Sequence, residues 1–143
     1  MYEELKAQIK EHEGFVPRVY KDSLGKRTIG YGHLCVEPEQ WDDDKEYTKE
    51  ELEEVFNKDF NEALKNAETL IDGRPINFIA KQVIIEMVFQ LGIGGVSKFK
   101  KMWSALDKED YGEASFQMTQ SRWHDQTPKR CQSLAAKMRS AKI

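Results

Sequence analysis

The segment that most constrains the fold is residues 77–91. Phe78, Ile79, Val83, Ile84, Ile85, Met87, Val88, Phe89 and Leu91 leave almost no polar face there, with Glu86 and Gln90 as exceptions. A helix that is apolar on most sides has to be surrounded, so other helices must pack around it at the centre of a helical body. Upstream, Thr48-x-x-Glu51 is a capping box that opens a helix. Leu52, Val55, Phe56, Phe60, Ala63, Leu64 and Ala67 then form one apolar face. That helix is expected to run to about Leu70, a length of about 33 Å, before Asp72-Gly73-Arg74-Pro75 breaks it. Gly92 and Gly94-Gly95 are expected to end the central helix. Shorter helices are predicted at about 96–106, about 110–122 and about 128–141. The last starts at Thr127-Pro128, an N-cap followed by proline in the first turn.

The first third of the chain reads differently. Leu5 and Ile9, four apart, mark a helix over residues 3–13, and Glu13 is the next position on their stripe. Gly14 is a helix stop. A carboxyl group there is partly desolvated and close to the negative end of the helix dipole, and both effects favour its protonated form. Val19 and Tyr20 read as strand, Asp22-Ser23-Leu24-Gly25 as a turn, and Arg27-Thr28-Ile29 as the returning strand of a small antiparallel sheet over about 17–36. Gly30 and Gly32 allow either close approach by a ligand or tight strand packing. Residues 37–47 form a polar loop in which Trp41 either covers the sheet, the favoured reading, or marks a sugar-stacking surface. Asp22, flanked by Lys21, Lys26 and Arg27, is expected to be solvated and ionised. One protonated acid, one ionised acid and the hydroxyl of Thr28 suit acid-assisted hydrolysis with a positioned water.

These elements predict a mostly helical α+β domain spanning residues 1–143. A small antiparallel sheet lobe (about 14–58) is joined by a long helix (about 48–70) to a larger helical lobe (about 1–13 and 70–143). The chain is 39% hydrophobic, enough for a core, and 33% charged with a net charge of −3. That weak acidity argues against a nucleic-acid partner, which needs a basic face. Lys98, Lys100 and Lys101 form the one local basic patch singled out. Cys35 and Cys131, far apart in the chain, read as free thiols, and His12, His33 and His124 show no metal-ligand spacing with them. No apolar run is expected to reach the ~20 residues of a membrane span, and MYEELKAQIKEHEG is too polar for a signal peptide.

The Glu13-x8-Asp22-x5-Thr28 spacing, with YKD, TIGYGH, EMVFQLG and SRWHDQTPKR in order along the chain, resembles the T-even phage lysozymes of the phage-type muramidase group. The resemblance runs from about Leu5 to about Arg130 and implies a two-lobed lysozyme-like fold. It implies hydrolysis of the β-1,4 bond between N-acetylmuramic acid and N-acetylglucosamine in bacterial peptidoglycan, without cofactor or metal. By the same resemblance Glu13 protonates the glycosidic oxygen, and Asp22 and Thr28 handle the attacking water. His33 is expected to pair with Asp59. Arg130 is expected to pair with Glu13, which would keep the rise in its pKa modest. Leu34, Phe89, Gln90, Met102 and Gln117 match positions lining the substrate cleft, although a small polar residue is expected at 102 and an asparagine at 117. A monomeric agent of host lysis is implied, held in the host cytoplasm until the membrane is opened. A tail-associated lysozyme domain, a lytic transglycosylase and a wall-binding module with a decayed site are the competing readings. Asp22 and Thr28 argue against the last two.

Overall fold

The computed structural model describes residues 2–22 and 24–141. Ser23, in the expected turn, lies outside them. In chain order the elements are α1 (Glu3–Glu13), β1 (Val16–Lys21), β2 (Arg27–Gly30), β3 (His33–Leu34), α2 (Lys49–Ile71), α3 (Phe78–Ser97), α4 (Lys100–Asp107), α5 (Tyr111–Thr119), α6 (Arg122–Gln126) and α7 (Pro128–Ser140). The three strands form one antiparallel sheet in the order β1-β2-β3. This is the mostly helical α+β architecture expected. The chain divides into two compact units, Met1–Glu62 and Ala63–Ile143, with the division inside α2.

The first unit holds α1, the sheet and the first part of α2. Glu3 and Glu4 in the first turn of α1, and Lys10 and His12 in its last, complement the helix dipole. Leu5 and Ile9 are buried with Ile29, Leu52, Phe56 and Phe60. Lys10 Nζ lies 2.6 Å from Glu53 Oε2 and sits over the rings of Phe56 and Tyr31, 4.9 and 5.2 Å from their centroids. These contacts join α1 to α2. The first helix lies within the unit Met1–Glu62.

The capping box of α2 is formed as expected. The backbone N–H of Glu51 donates to Thr48 Oγ1 (3.1 Å), and that of Thr48 donates to Glu51 Oε1 (3.2 Å). Arg27 anchors the polar loop through the Trp41 carbonyl oxygen (3.0 Å) and the Asp43 carboxylate. The Trp41 ring lies between His33 and Tyr47, at centroid distances of 5.9 and 5.0 Å.

In the second unit α3 is the buried helix. Ala80 and residues Val83 to Val88 are all buried, and Asn77 caps the start by accepting from the Ala80 N–H. The central helix ends at Gly92, as expected: its φ of 80° and ψ of 161° are not helical, and only a short further turn runs on to Ser97. The next helix starts at Lys100 and not at Val96. Taken together, Phe78–Ser97 is long and apolar enough to cross a membrane by length and composition, where no such run was expected. Its polar exception, Glu86, has 0% exposure and forms an ion pair with Arg130 Nε at 3.1 Å.

The short helix α6 has no counterpart in the sequence reading. Ser121 caps it by accepting from the His124 N–H, and buried Trp123 donates from Nε1 to Gln90 Oε1 (3.0 Å). Cys35 and Cys131 are free thiols, and burial pushes the Cys131 thiol up to about 11.

Candidate active site

Glu13 is the last residue of α1, and its backbone leaves the helix through Gly14 at φ 74°. Its carboxyl group rests on the turn between β2 and β3. A Cβ added at Gly32 would sit 2.8 Å from Glu13 Cδ and overlap Oε1. Gly32 is also at φ 74°, a conformation that side chains disfavour. Two independent constraints thus require glycine at this position: the backbone angle, and the carboxyl group lying against it.

Asp22 closes the β1–β2 hairpin. Its N–H donates to the Lys26 carbonyl oxygen (2.9 Å), and its Oδ1 accepts from the N–H groups of Leu24 (2.8 Å) and Lys26 (2.9 Å). This is the local bonding that makes aspartate a turn former. Among the described residues both hydrogen bonds to the side chain fall on Oδ1.

Thr28 is 3% exposed, and its hydroxyl donates to the Lys26 carbonyl oxygen at 3.0 Å. With its proton committed, Oγ1 can meet an incoming group only as an acceptor. Thr28 pairs with Tyr20 on one side and with Leu34 on the other. Side chains alternate across a sheet, so these three share one face. Ile29 and His33, also paired, share the opposite face. Leu34 is 43% exposed.

Tyr20 joins the two acids electrostatically. Burial raises the pKa of its half-buried phenol, and the charges of Glu13 and then Asp22 raise it further. Both carboxyl groups therefore act on one side chain at the edge of the sheet.

His33 lies between two carboxylates. Nδ1 is 2.7 Å from Asp59 Oδ2, as expected, and Nε2 is 3.0 Å from Glu39 Oε1. The Asp59 hydrogen bond chiefly holds the imidazole at about 8, against the opposing effect of burial, with Glu39 adding to the rise. Glu39 also accepts from Trp41 Nε1 (3.1 Å) and the Val36 N–H (3.3 Å). Partial burial works against its ionisation, yet these donors hold its carboxyl below the usual range.

The other expected site residues lie in the second unit. Phe89 and Gln90 are half-buried on α3. The Gln90 amide accepts from Trp123 and donates to Thr127 Oγ1 (3.2 Å). Met102 has 0% exposure, so core packing takes the place of the expected contact with a sugar. Gln117 donates to Glu113 (2.6 Å) and lines an open pocket of about 250 Å³ with Lys101, Ser104 and Lys108. Arg130 has Glu86 as an ion-pair partner within this unit.

Tyr20 and Glu39 carry no site reading from sequence, whereas Gly32 does, as one of two glycines open to close approach by a ligand. Tyr20 stands inside YKD and Gly32 inside TIGYGH. Glu39 lies in the polar loop and carries no local signal.

A family model described as phage lysozyme matches residues 10–142. A protein of Dictyostelium discoideum named "Probable T4-type lysozyme 2" is 30% identical over 155 residues, covering 91% of this chain and 90% of its own. "Probable T4-type lysozyme 1" of the same organism is 32% identical over 153 residues, with the same coverage. The "Pre-baseplate central spike protein Gp5" of Enterobacteria phage T4 is 26% identical over 141 residues; the match covers 83% of this chain and 24% of that protein.

Proposed function

The chain belongs to the phage lysozyme family, and from that premise we propose that it cleaves the β-1,4 bond between N-acetylmuramic acid and N-acetylglucosamine in bacterial peptidoglycan. Lysozyme-type hydrolase activity is the property of the family; the bond and the residue roles are our reading.

Glu13 gives its proton to the glycosidic oxygen as the bond to the leaving sugar breaks. A nucleophilic water needs acceptors for its hydrogens, so that a lone pair points at the anomeric carbon. Asp22 Oδ2 and Thr28 Oγ1 are suited to take them, because Oδ1 is occupied and the threonine proton is committed. Asp22, ionised, also favours positive charge developing on the sugar ring. The supporting observation is that one small sheet carries all three groups: the Glu13 carboxyl lies against Gly32 at the β2–β3 turn, Asp22 closes the β1–β2 hairpin, and Thr28 lies on β2 between them. Leu34, exposed on that face, is positioned to touch the glycan.

Digestion of purified peptidoglycan by the wild type and by Glu13→Gln tests this. Reducing muropeptides are expected from the wild type, with a rate loss on the order of 10²–10⁴-fold in the variant. Equal rates would remove Glu13 as the acid. Anhydro-sugar products would make the enzyme a lytic transglycosylase.

The proposed setting is host lysis, with the enzyme waiting in the host cytoplasm until another agent opens the membrane. The similarity to the phage T4 spike protein supports a second setting, a tail-borne domain that penetrates the wall. Recovery of the chain in purified virions would establish the second.

A further inference from the structure

The net charge of −3 conceals a partition. Residues 1–62 hold 9 lysines and arginines against 17 aspartates and glutamates, a net of −8. Residues 63–143 hold 13 against 8, a net of +5. The sign changes inside α2, at the point where the chain divides into its two units. Charge segregated in this way bears on the partners of a protein and not on its fold.

The positive excess has a centre. In the second unit Arg74 pairs with Asp107, Lys81 with Glu68 and Arg130 with Glu86. From Met87 to Leu106, by contrast, the chain carries Lys98, Lys100 and Lys101 and no acid. All three are exposed, and among the described residues none has a carboxylate within ion-pair distance. Met102, Trp103, Ala105 and Leu106 turn one face of α4 into the core, which leaves Lys100 and Lys101 on the outer face. Acids return from Asp107 onward. Asp107 is held by Arg74, Glu109 follows Lys108, and Asp110 and Glu113 accept at the start of α5 from the Glu113 N–H (3.0 Å) and from Gln117 (2.6 Å).

Local folding does not account for these lysines. Lys100 and Lys101 are the first two residues of α4, at the positive end of its dipole, where cations are disfavoured and acids are preferred. We propose that Lys98, Lys100 and Lys101 form a docking surface for the carboxylates of the stem peptides of peptidoglycan. This rests on the reading of peptidoglycan as the substrate. The N-acetylated sugars of that polymer are uncharged, so its stem peptides supply the negative charge. The acidic first unit is repelled by the same charge, and attraction falls to the basic one.

Co-sedimentation with insoluble peptidoglycan, stripped of phosphate polymers by hydrofluoric acid, tests this. Glu13→Gln serves as the parent, so that the polymer stays intact. Its binding is expected to weaken as salt rises. Lys100→Glu with Lys101→Glu, added to the parent, is expected to bind about 10-fold more weakly at low salt. It should also melt no lower than the parent, because acids suit the first turn of α4. Lys45→Glu with Lys49→Glu makes the same change of charge in the first unit, and should leave binding within about 2-fold. Peptidoglycan whose carboxylates have been amidated with carbodiimide and methylamine should bind weakly and equally to all three proteins.

Equal binding by the parent and the α4 variant overturns the proposal. So does an equal loss in the two variants, or full binding to the amidated polymer. Sedimentation of the parent alone as a dimer, abolished by the α4 variant, would assign the surface to a second copy of the chain and overturn it too. In the otherwise wild-type enzyme the α4 variant should raise KM and leave kcat unchanged. If the wild type cleaves peptidoglycan and the α4 variant binds it normally, only the docking surface is lost. If the wild type does not cleave it, the reading of the substrate itself fails.

Discussion

Replacing Gly32 with alanine tests the geometry of the site most directly. Two effects are expected, and they can be separated. The first is backbone strain: φ is 74°, and an L-residue held in the left-handed region costs roughly 1–2 kcal/mol. For a chain of 143 residues that corresponds to a fall in Tm of about 3–8 °C. The second is the collision. The new methyl group would lie 2.8 Å from Glu13 Cδ and overlap Oε1, whereas comfortable carbon contacts begin at about 3.5 Å. The carboxyl group must therefore retreat by on the order of 1 Å, a misplacement that can cost about 10²-fold in rate.

Gly73→Ala supplies the control. Gly73 has φ 78°, and a Cβ there meets nothing within 4 Å. It should reproduce the loss of stability and leave activity unchanged. Thermal unfolding of both variants, combined with kcat on peptidoglycan at a temperature where both are folded, gives the comparison. Equal activity in the two variants would refute the placement of Glu13 over Gly32.

Other consequences follow from the ion pairs. His33 is held at about 8 in the folded protein against an ordinary value of 6.5, a difference on the order of 2 kcal/mol. Because the folded value is the higher one, this stability is fully present below about pH 6.5 and is lost as pH rises through about 8. Asp59→Asn should remove most of that dependence, and thermal melts across the interval would show it; an unchanged slope would contradict the role of Asp59. Arg130→Ala should destabilise the protein by about 3–5 kcal/mol, because Glu86 is fully buried where the guanidinium meets it. The double replacement Arg130→Met with Glu86→Leu should recover much of that loss in denaturant unfolding, and a double variant as unstable as the single one would argue against the pair.

Much of the fold was legible in local sequence. The capping box at Thr48 and Glu51 fixed the start of α2, because both partners lie within one turn of each other. Proline after Thr127 marked α7 for a similar reason. The acids Glu13 and Asp22 and the hydroxyl of Thr28 could be picked out by their spacing around a helix end and a hairpin. The pairing of His33 with Asp59 was reached only through family resemblance, since 26 residues separate them.

What the sequence determined alone was the set of elements with short-range causes: apolar stripes, caps, and turns closed by neighbouring backbone. Tertiary structure decided matters that depend on distant residues. It set the ion pair of Lys10 on α1 with Glu53 on α2, the second carboxylate on His33, the burial of Met102 and the partner of Glu86. The physical reason is one of range. Propensity and capping act over a few residues, whereas burial and charge depend on what the folded chain brings alongside.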